Sequence, residues 1–220
     1  MRGATIQIGP NEFAELPVKA ADLTGEIASR ERSISFISSM FYLANPDPVL
    51  KSQGKDISAY RDLTSDGHLW AVMQSRVAAM QCREWRIAPA DETPQAAEAA
   101  DMVELALNRL PLVDKFEEML DAVFYGYSIL ETLWEPVDRW ILPAWVKGKP
   151  QEWFAFSQEE KLLFKTKTNL LGEELPEKYR FLIVRSHASY RNPYGDPVLS
   201  RCFWPVKFKM GGWRFCIKFI

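Results

Sequence analysis

The chain has 220 residues, 47% of them hydrophobic, with 13 Phe, 8 Trp and a net charge of −2. So apolar a chain can bury a sizeable core and is not of disordered composition. Its near-neutral balance excludes a protein that coats nucleic acid through a bulk excess of Lys and Arg.

Three cysteines, Cys82, Cys202 and Cys216, are widely spaced with no Cys-x-x-Cys. They indicate neither a zinc site nor a disulfide framework and fit a reducing cytoplasm. The first ten residues lack a signal-peptide hydrophobic region, and no apolar run approaches the ~20 residues of a membrane span.

Residues 1 to 30 carry Pro10, Pro17 and Gly25 without a sustained period. They read as an extended arm laid on a neighbouring subunit, or as a frayed terminus. A helical pattern over Ile27–Leu43 (Ile27, Ile34, Ile37, Phe41) stops at the turn residues Asn45-Pro46-Asp47-Pro48. Val49 to Tyr60 reads as a short helix interrupted at Gly54. Ser65-Asp66 then caps a helix with Leu69, Val72, Met73, Val77 and Met80 on one stripe. Trp85-Arg86-Ile87-Ala88 has strand character. A helix begins at Thr93-Pro94, a cap followed by proline in the first turn, and runs to Pro111.

The stretch Leu112–Pro136 changes period in its middle. Leu112, Phe116, Met119, Leu120, Val123 and Phe124 keep helical spacing. After Tyr125-Gly126 both alternating faces are apolar, as in an interior strand. Gly126 stands where a helix C-cap needs positive φ, and Pro136 is expected to end the pairing. Further strands are predicted at Trp140–Val146, Glu152–Phe156, Lys161–Thr166 and Tyr179–Arg185, with Lys147-Gly148-Lys149-Pro150 as a connecting turn. After the loop Ser186–Pro197, a helix from Val198 places Leu199, Cys202, Phe203 and Val206 on one face, kinked by Pro205. The fold class is α+β: helices packed on a mainly antiparallel mixed sheet, with a helical C-terminal end. Three regions are expected: an arm with short helices (1–60), a core domain (61–190), and a loop with the start of a longer helix (191–220).

Catalytic signals are few. The phosphate-binding glycine motifs are absent, and only His68 and His187 are available. Ser186-His187-Ala188-Ser189 admits a hydrolase reading with Ser186 or Ser189 beside His187, but triads assemble in space, not in sequence. Glu131 and Glu135 share a strand face about 13 Å apart, too far for joint acid–base work. A cross-strand cation such as Arg185 or Arg86 is their expected partner. The Trp140–Phe156 aromatics read as core or interface rather than a stack for single-stranded nucleic acid. Trp204, Phe208, Trp213 and Phe215, interleaved with Arg201, Lys207, Lys209 and Arg214, form a basic aromatic tail. A membrane surface would suit it; a neighbouring subunit or further sequence is the reading adopted.

Four blocks in order, Asn45-Pro46-Asp47-Pro48-Val49-Leu50, Asp66-Gly67-His68-Leu69 with Arg76 and Trp85-Arg86-Ile87, Tyr125-Gly126-Tyr127-Ser128-Ile129-Leu130-Glu131 with Trp134-Glu135, and Asn192-Pro193-Tyr194-Gly195 with Trp204-Pro205 and Lys209, resemble the portal proteins of Mu-like phages and prophages. The resemblance runs from about residue 30 to 215 and implies a wing-like fold. It also implies a structural, non-catalytic subunit of a ring of about twelve at the capsid vertex. Double-stranded DNA would pass through the ring without sequence specificity. Terminase, capsid and head–tail adaptor proteins would be partners, with no membrane. The location implied is the virion, and the host cytoplasm during assembly. No cofactor, metal or catalytic residue is expected. Ile34, Phe41, Trp204, Phe208, Trp213 and Phe215 are expected at subunit contacts. The alternatives are a hydrolase using Ser186 and His187, and a cytoplasmic protein-interaction module unrelated to phage.

Overall fold

The computed structural model describes residues 5–7, 13–15, 43–137, 140–157, 159–166, 172–175 and 177–218. Most of the helix expected over residues 27–43, including Ile34 and Phe41, lies outside the described residues. Within the N-terminal arm, β1 (Thr5–Gln7) and β2 (Phe13–Glu15) pair antiparallel, with Ile6 opposite Ala14.

The main body begins at a cap. Asp47 Oδ1 accepts the N–H groups of Val49 (2.9 Å) and Leu50 (3.1 Å), which starts α1 (Pro48–Gln53). Pro48 occupies the first turn, where an N–H would have no partner anyway. Gly54 closes the helix at φ +59°, where the sequence places its interruption. After α2 (Ser58–Arg61) and a 3-10 turn (Asp62–Ser65), Asp66 caps α3 (Gly67–Gln81) through the Leu69 N–H at 3.0 Å.

The strand expected at Trp85–Ala88 does not form. The segment joins no ladder among the described residues, and Trp85 is exposed. Strand-favouring side chains report fit to a sheet surface, and this stretch pairs with no sheet edge among the described residues. Thr93 Oγ1 accepts from the Ala96 N–H at 3.2 Å to cap α4 (Pro94–Asn108).

Next come α5 (Leu112–Tyr125), β3 (Tyr127–Val137) and β4 (Trp140–Lys149). A second sheet is made of β5 (Phe154–Phe156), β6 (Leu162–Phe164) and β7 (Glu173–Glu174). A helical turn α6 (Glu177–Arg180) leads into β8 (Phe181–Arg185), which returns to the open side of β3. The α+β reading holds. Every ladder in the described sheets is antiparallel, and the strands divide between β4-β3-β8 and β5-β6-β7.

Two boundaries move. Pro136 does not end the pairing, because the ladder continues through Pro136–Ile141 to Val137–Trp140. Beyond Glu131, β3 pairs only with β4 among the described residues, so a residue without an N–H is tolerated. Lys147-Gly148-Lys149 is the end of β4, not a turn. Glu118 accepts the Gly148 N–H at 2.9 Å, and Lys149 reaches inward to Glu131 at 3.2 Å. Glu131 also differs from expectation in its cation. Arg180, at the end of α6, donates through Nε (3.2 Å) and Nη2 (3.1 Å), whereas Arg185 lies over the Phe156 ring. Glu135 pairs with Arg109.

One apolar core joins α1, α2, α3, α5, β3, β5, β6 and β8 to the C-terminal helix α7 (Val198–Lys218). Its members run from Val49 to Val206, and Tyr60, Leu63, Ile129, Phe156, Phe164 and Leu199 are fully buried. On the polar side of α5, burial raises the Asp121 carboxyl from its usual 3.8 to about 6. Glu117 and Glu118 add to the rise; Arg61 and a hydrogen bond from Gln151 oppose it.

The folded state therefore holds this proton more tightly than the unfolded chain does. The contribution of Asp121 to stability is highest below pH ~4, falls as the pH rises to ~6, and is then a constant penalty. Asp121→Asn should remove a penalty of about 1–2 kcal/mol above pH 7, discounted for the water that still reaches the group, and change little near pH 4. Urea unfolding at both pH values checks this. Equal effects at the two would mean that the carboxyl is not the cause.

Candidate functional site

The four sequence blocks meet in space. Gly126, at φ +96°, turns the chain from α5 straight into β3, and its N–H bonds back to Ala122 O at 2.8 Å. Its carbonyl accepts the Ser186 N–H at 2.8 Å, and the Ser186 carbonyl accepts the Asp196 N–H at 2.7 Å. Gly195, at φ +75°, is pressed against both. Asn192 shapes this loop, with its Nδ2 donating to Gly195 O at 2.6 Å and its Oδ1 accepting the Tyr194 N–H at 3.1 Å.

Tyr194 then links three segments. Its hydroxyl donates to Leu43 O at 2.7 Å and accepts the Phe156 N–H at 3.1 Å. Its ring meets Tyr127 (5.6 Å) and Phe156 (4.9 Å) edge to face. Each such ring contact adds roughly 0.5–1.5 kcal/mol beyond area burial. Sequence reasoning placed Tyr194 in a loop and missed this role; the recurrence of Tyr-Gly in both blocks was the available signal.

This clasp fixes the base of α7. Leu199, Phe203 and Val206 face the core, with Cys202 and Met210 half-buried beside them, as the 3–4 spacing requires. Phe203 meets Tyr60 edge to face at 6.3 Å. The Tyr60 hydroxyl donates to Asp47 at 2.6 Å, and burial, then Asp47, raises its pKa well above the usual tyrosine range. Lys209 pairs with Asp66 at 2.6 Å, joining α7 to the cap of α3. The Lys209 ammonium and the Leu69 N–H hold the Asp66 carboxyl below its usual range. The helix runs on through Pro205 and Gly211-Gly212 to Lys218. The glycine pair does not interrupt the helix.

Of the residues expected at contacts, Trp204, Phe208, Trp213 and Phe215 stand 46%, 74%, 64% and 65% exposed on this helix, with Ile217 at 70%. Trp204 and Phe208 form one face, their rings 5.9 Å apart. From Gly211 to Lys218 every side chain described is exposed. Apolar side chains in that number on one solvated helix are unusual for the surface of a monomeric protein.

The Ser–His reading finds no such assembly. His187, at φ +52°, and Ser189 are exposed, and the Ser189 backbone exchanges hydrogen bonds with Asn192. Among the described residues, no hydrogen bond joins His187 to Ser186 or Ser189. Nor do the described residues bring together a His, Cys, Asp and Glu group able to hold a metal ion. No described helix is long and apolar enough to cross a membrane. What the arrangement offers is an exposed apolar helix face on a packed base.

Comparison with known proteins gives this surface its context. The portal protein of Escherichia phage Mu is 37% identical to this chain over 99 residues, covering 40% of this chain and 19% of the relative. The chain thus spans about a fifth of that relative's length in the matched region. The family model described as the portal protein of Mu bacteriophage matches residues 57–220, from the start of α2 through all of α7. With three quarters of its length matched, the chain belongs to the family of Mu bacteriophage portal proteins.

Proposed function

We propose that this chain is the wing region of a portal subunit. In this reading it takes its place in a ring of about twelve copies at one capsid vertex, through which double-stranded DNA is packaged and ejected. The family match across residues 57–220 carries the reading. The α+β body is the wing, and α7 is the approach to the stem. The role is structural and non-catalytic, with terminase, capsid and head–tail adaptor proteins as partners, in the virion and in the host cytoplasm during assembly.

Two physical features support it. Trp204, Phe208, Trp213 and Phe215 give each copy an apolar contact surface, and Ile34 and Phe41 are assigned to the same role from sequence. The net charge of −2 suits a conduit, since each phosphate contact would add salt-dependent affinity and retard sliding DNA. Native mass spectrometry and electron microscopy should show rings of about a dozen subunits, for this chain or for a longer version of it. A strictly monomeric longer protein would overturn the proposal.

A further inference from the structure

The helix α4 (Pro94–Asn108) buries none of its side chains and adds no residue to the apolar core. A helix of ~15 residues is marginal in water by itself, and helices in proteins owe most of their stability to a packed face. The other incompletely packed helix is α7. Its inner side rests on α1, α2 and α5, while Trp204, Phe208, Trp213 and Ile217 remain exposed.

The two helices carry opposite charge. Glu98, Asp101 and Glu104 lie on α4, which has no Lys or Arg, and Asp91 and Glu92 precede it. Arg201, Lys207, Lys209, Arg214 and Lys218 lie on α7, which has no Asp or Glu. Arg201 and Lys209 are engaged within the chain, by Asp196 and Asp66. Lys218 on α7 and Asp101 and Glu104 on α4 are exposed.

Their side chains also differ in size. Ala97, Asp101 and Glu104 follow at helical spacing along one exposed side of α4, with Leu105, 51% exposed, next to Asp101 and Glu104. The small Ala97 leaves a hollow there, and the rings of Trp204 and Phe208 make a ridge on α7. Two α7 helices face to face would set cation against cation, and two α4 helices carboxylate against carboxylate. A basic surface meeting a different, acidic one makes a head-to-tail contact, the kind whose repetition closes a ring. We infer that α7 of one copy lies along α4 of the next, its exposed aromatics on Ala97 and Leu105 and its cations toward Asp101 and Glu104. The inference rests on the ring reading and deepens it by naming the two surfaces of one subunit contact.

Charge reversal in the full chain tests it. One variant carries Asp101→Lys and Glu104→Lys; the other carries Phe208→Glu and Lys218→Glu, all at exposed positions outside the core. Each alone should keep the parent melting temperature but associate roughly tenfold more weakly or worse by sedimentation velocity. An equimolar mixture should regain association, with mass-tagged copies alternating in native mass spectra. Each basic α4 then meets an acidic α7, and each acidic α4 a basic one. Carbodiimide treatment of the parent, mixed as isotopically light and heavy copies, should also join Asp101 or Glu104 of one copy to Lys218 of another. If both variants assemble alone as well as the parent, the pairing is overturned and the ring stands. If mixing rescues nothing, or cross-links form only within a copy, the helices meet other surfaces and the inference fails. A parent that stays monomeric, its longer version included, would overturn both.

Discussion

Gly195→Ala is expected to unfold the clasp, lowering stability by about 3 kcal/mol or more, because two costs add. At φ +75° any β-carbon is strained, by roughly 1–2 kcal/mol. The new methyl would also sit 2.2 Å from Gly126 O and 2.6 Å from Ser186 O, both backbone atoms held by other bonds. Gly126→Val should behave likewise, since a β-carbon there meets Tyr194 O at 2.7 Å. For a chain of this size each kcal/mol lowers the melting temperature by about 2–4 °C. A shift under 3 °C for Gly195→Ala would show that the loop yields and that the clasp is not a fixed junction. As a control, Gly54→Ala meets nothing within 4 Å and should lose only the cost of its positive φ.

Truncating one member of the Glu131 cluster should have an effect of similar size. Glu131 and Arg180 are 0% and 1% exposed at the side chain and Lys149 is 5% exposed, so all three charges are out of water. Removing Arg180 as alanine leaves Glu131 with Lys149 and a large void, for an expected loss of about 3–5 kcal/mol. Glu131→Ala strands two buried cations instead and should cost as much. Replacing Glu131, Arg180 and Lys149 together by methionines should be far milder, because no charge of the cluster then remains buried. Chemical denaturation of the three variants separates these cases. If Arg180→Ala loses under 1 kcal/mol, the cluster is solvated in solution. Arg180 Nη1 is itself buried without a hydrogen bond, so this cluster is not optimised for stability alone.

The helices and their ends were legible because their signals are local. Asp66 and Thr93 cap as short polar side chains do, Gly54 and Gly126 stop helices where a positive φ is needed, and Asp47, read only as a turn residue, also proves to be a cap. The buried face of α7 followed from spacing alone. What the sequence concealed depends on distant partners. Lys147-Gly148-Lys149 looks like a turn until Glu118 and Glu131 bind it into β4. Trp85–Ala88 looks like a strand, but a strand needs an edge, which periodicity cannot supply. Arg180 and Glu131 are 49 residues apart, so no local pattern joins them. The candidate surface was legible as exposed aromatics. The clasp beneath it was legible only as four blocks in order, without the contacts among them.

The ties that close the body have a consequence for how it comes into being. Leu43 bonds to Tyr194 across 151 residues, Arg61 to Glu152 across 91, and α1 and α2 share their core with α7. During synthesis at 5–20 residues per second, α1 and its capped turn wait roughly 8–30 s before their partners exist. Until then Val49, Leu50, Tyr60 and Leu63 lack the part of their surroundings that α7 supplies. Closure of this body is thus timed by α7. Any truncation before Val206 should leave the first third of the chain exposed to proteases and chaperones, although its own residues are intact.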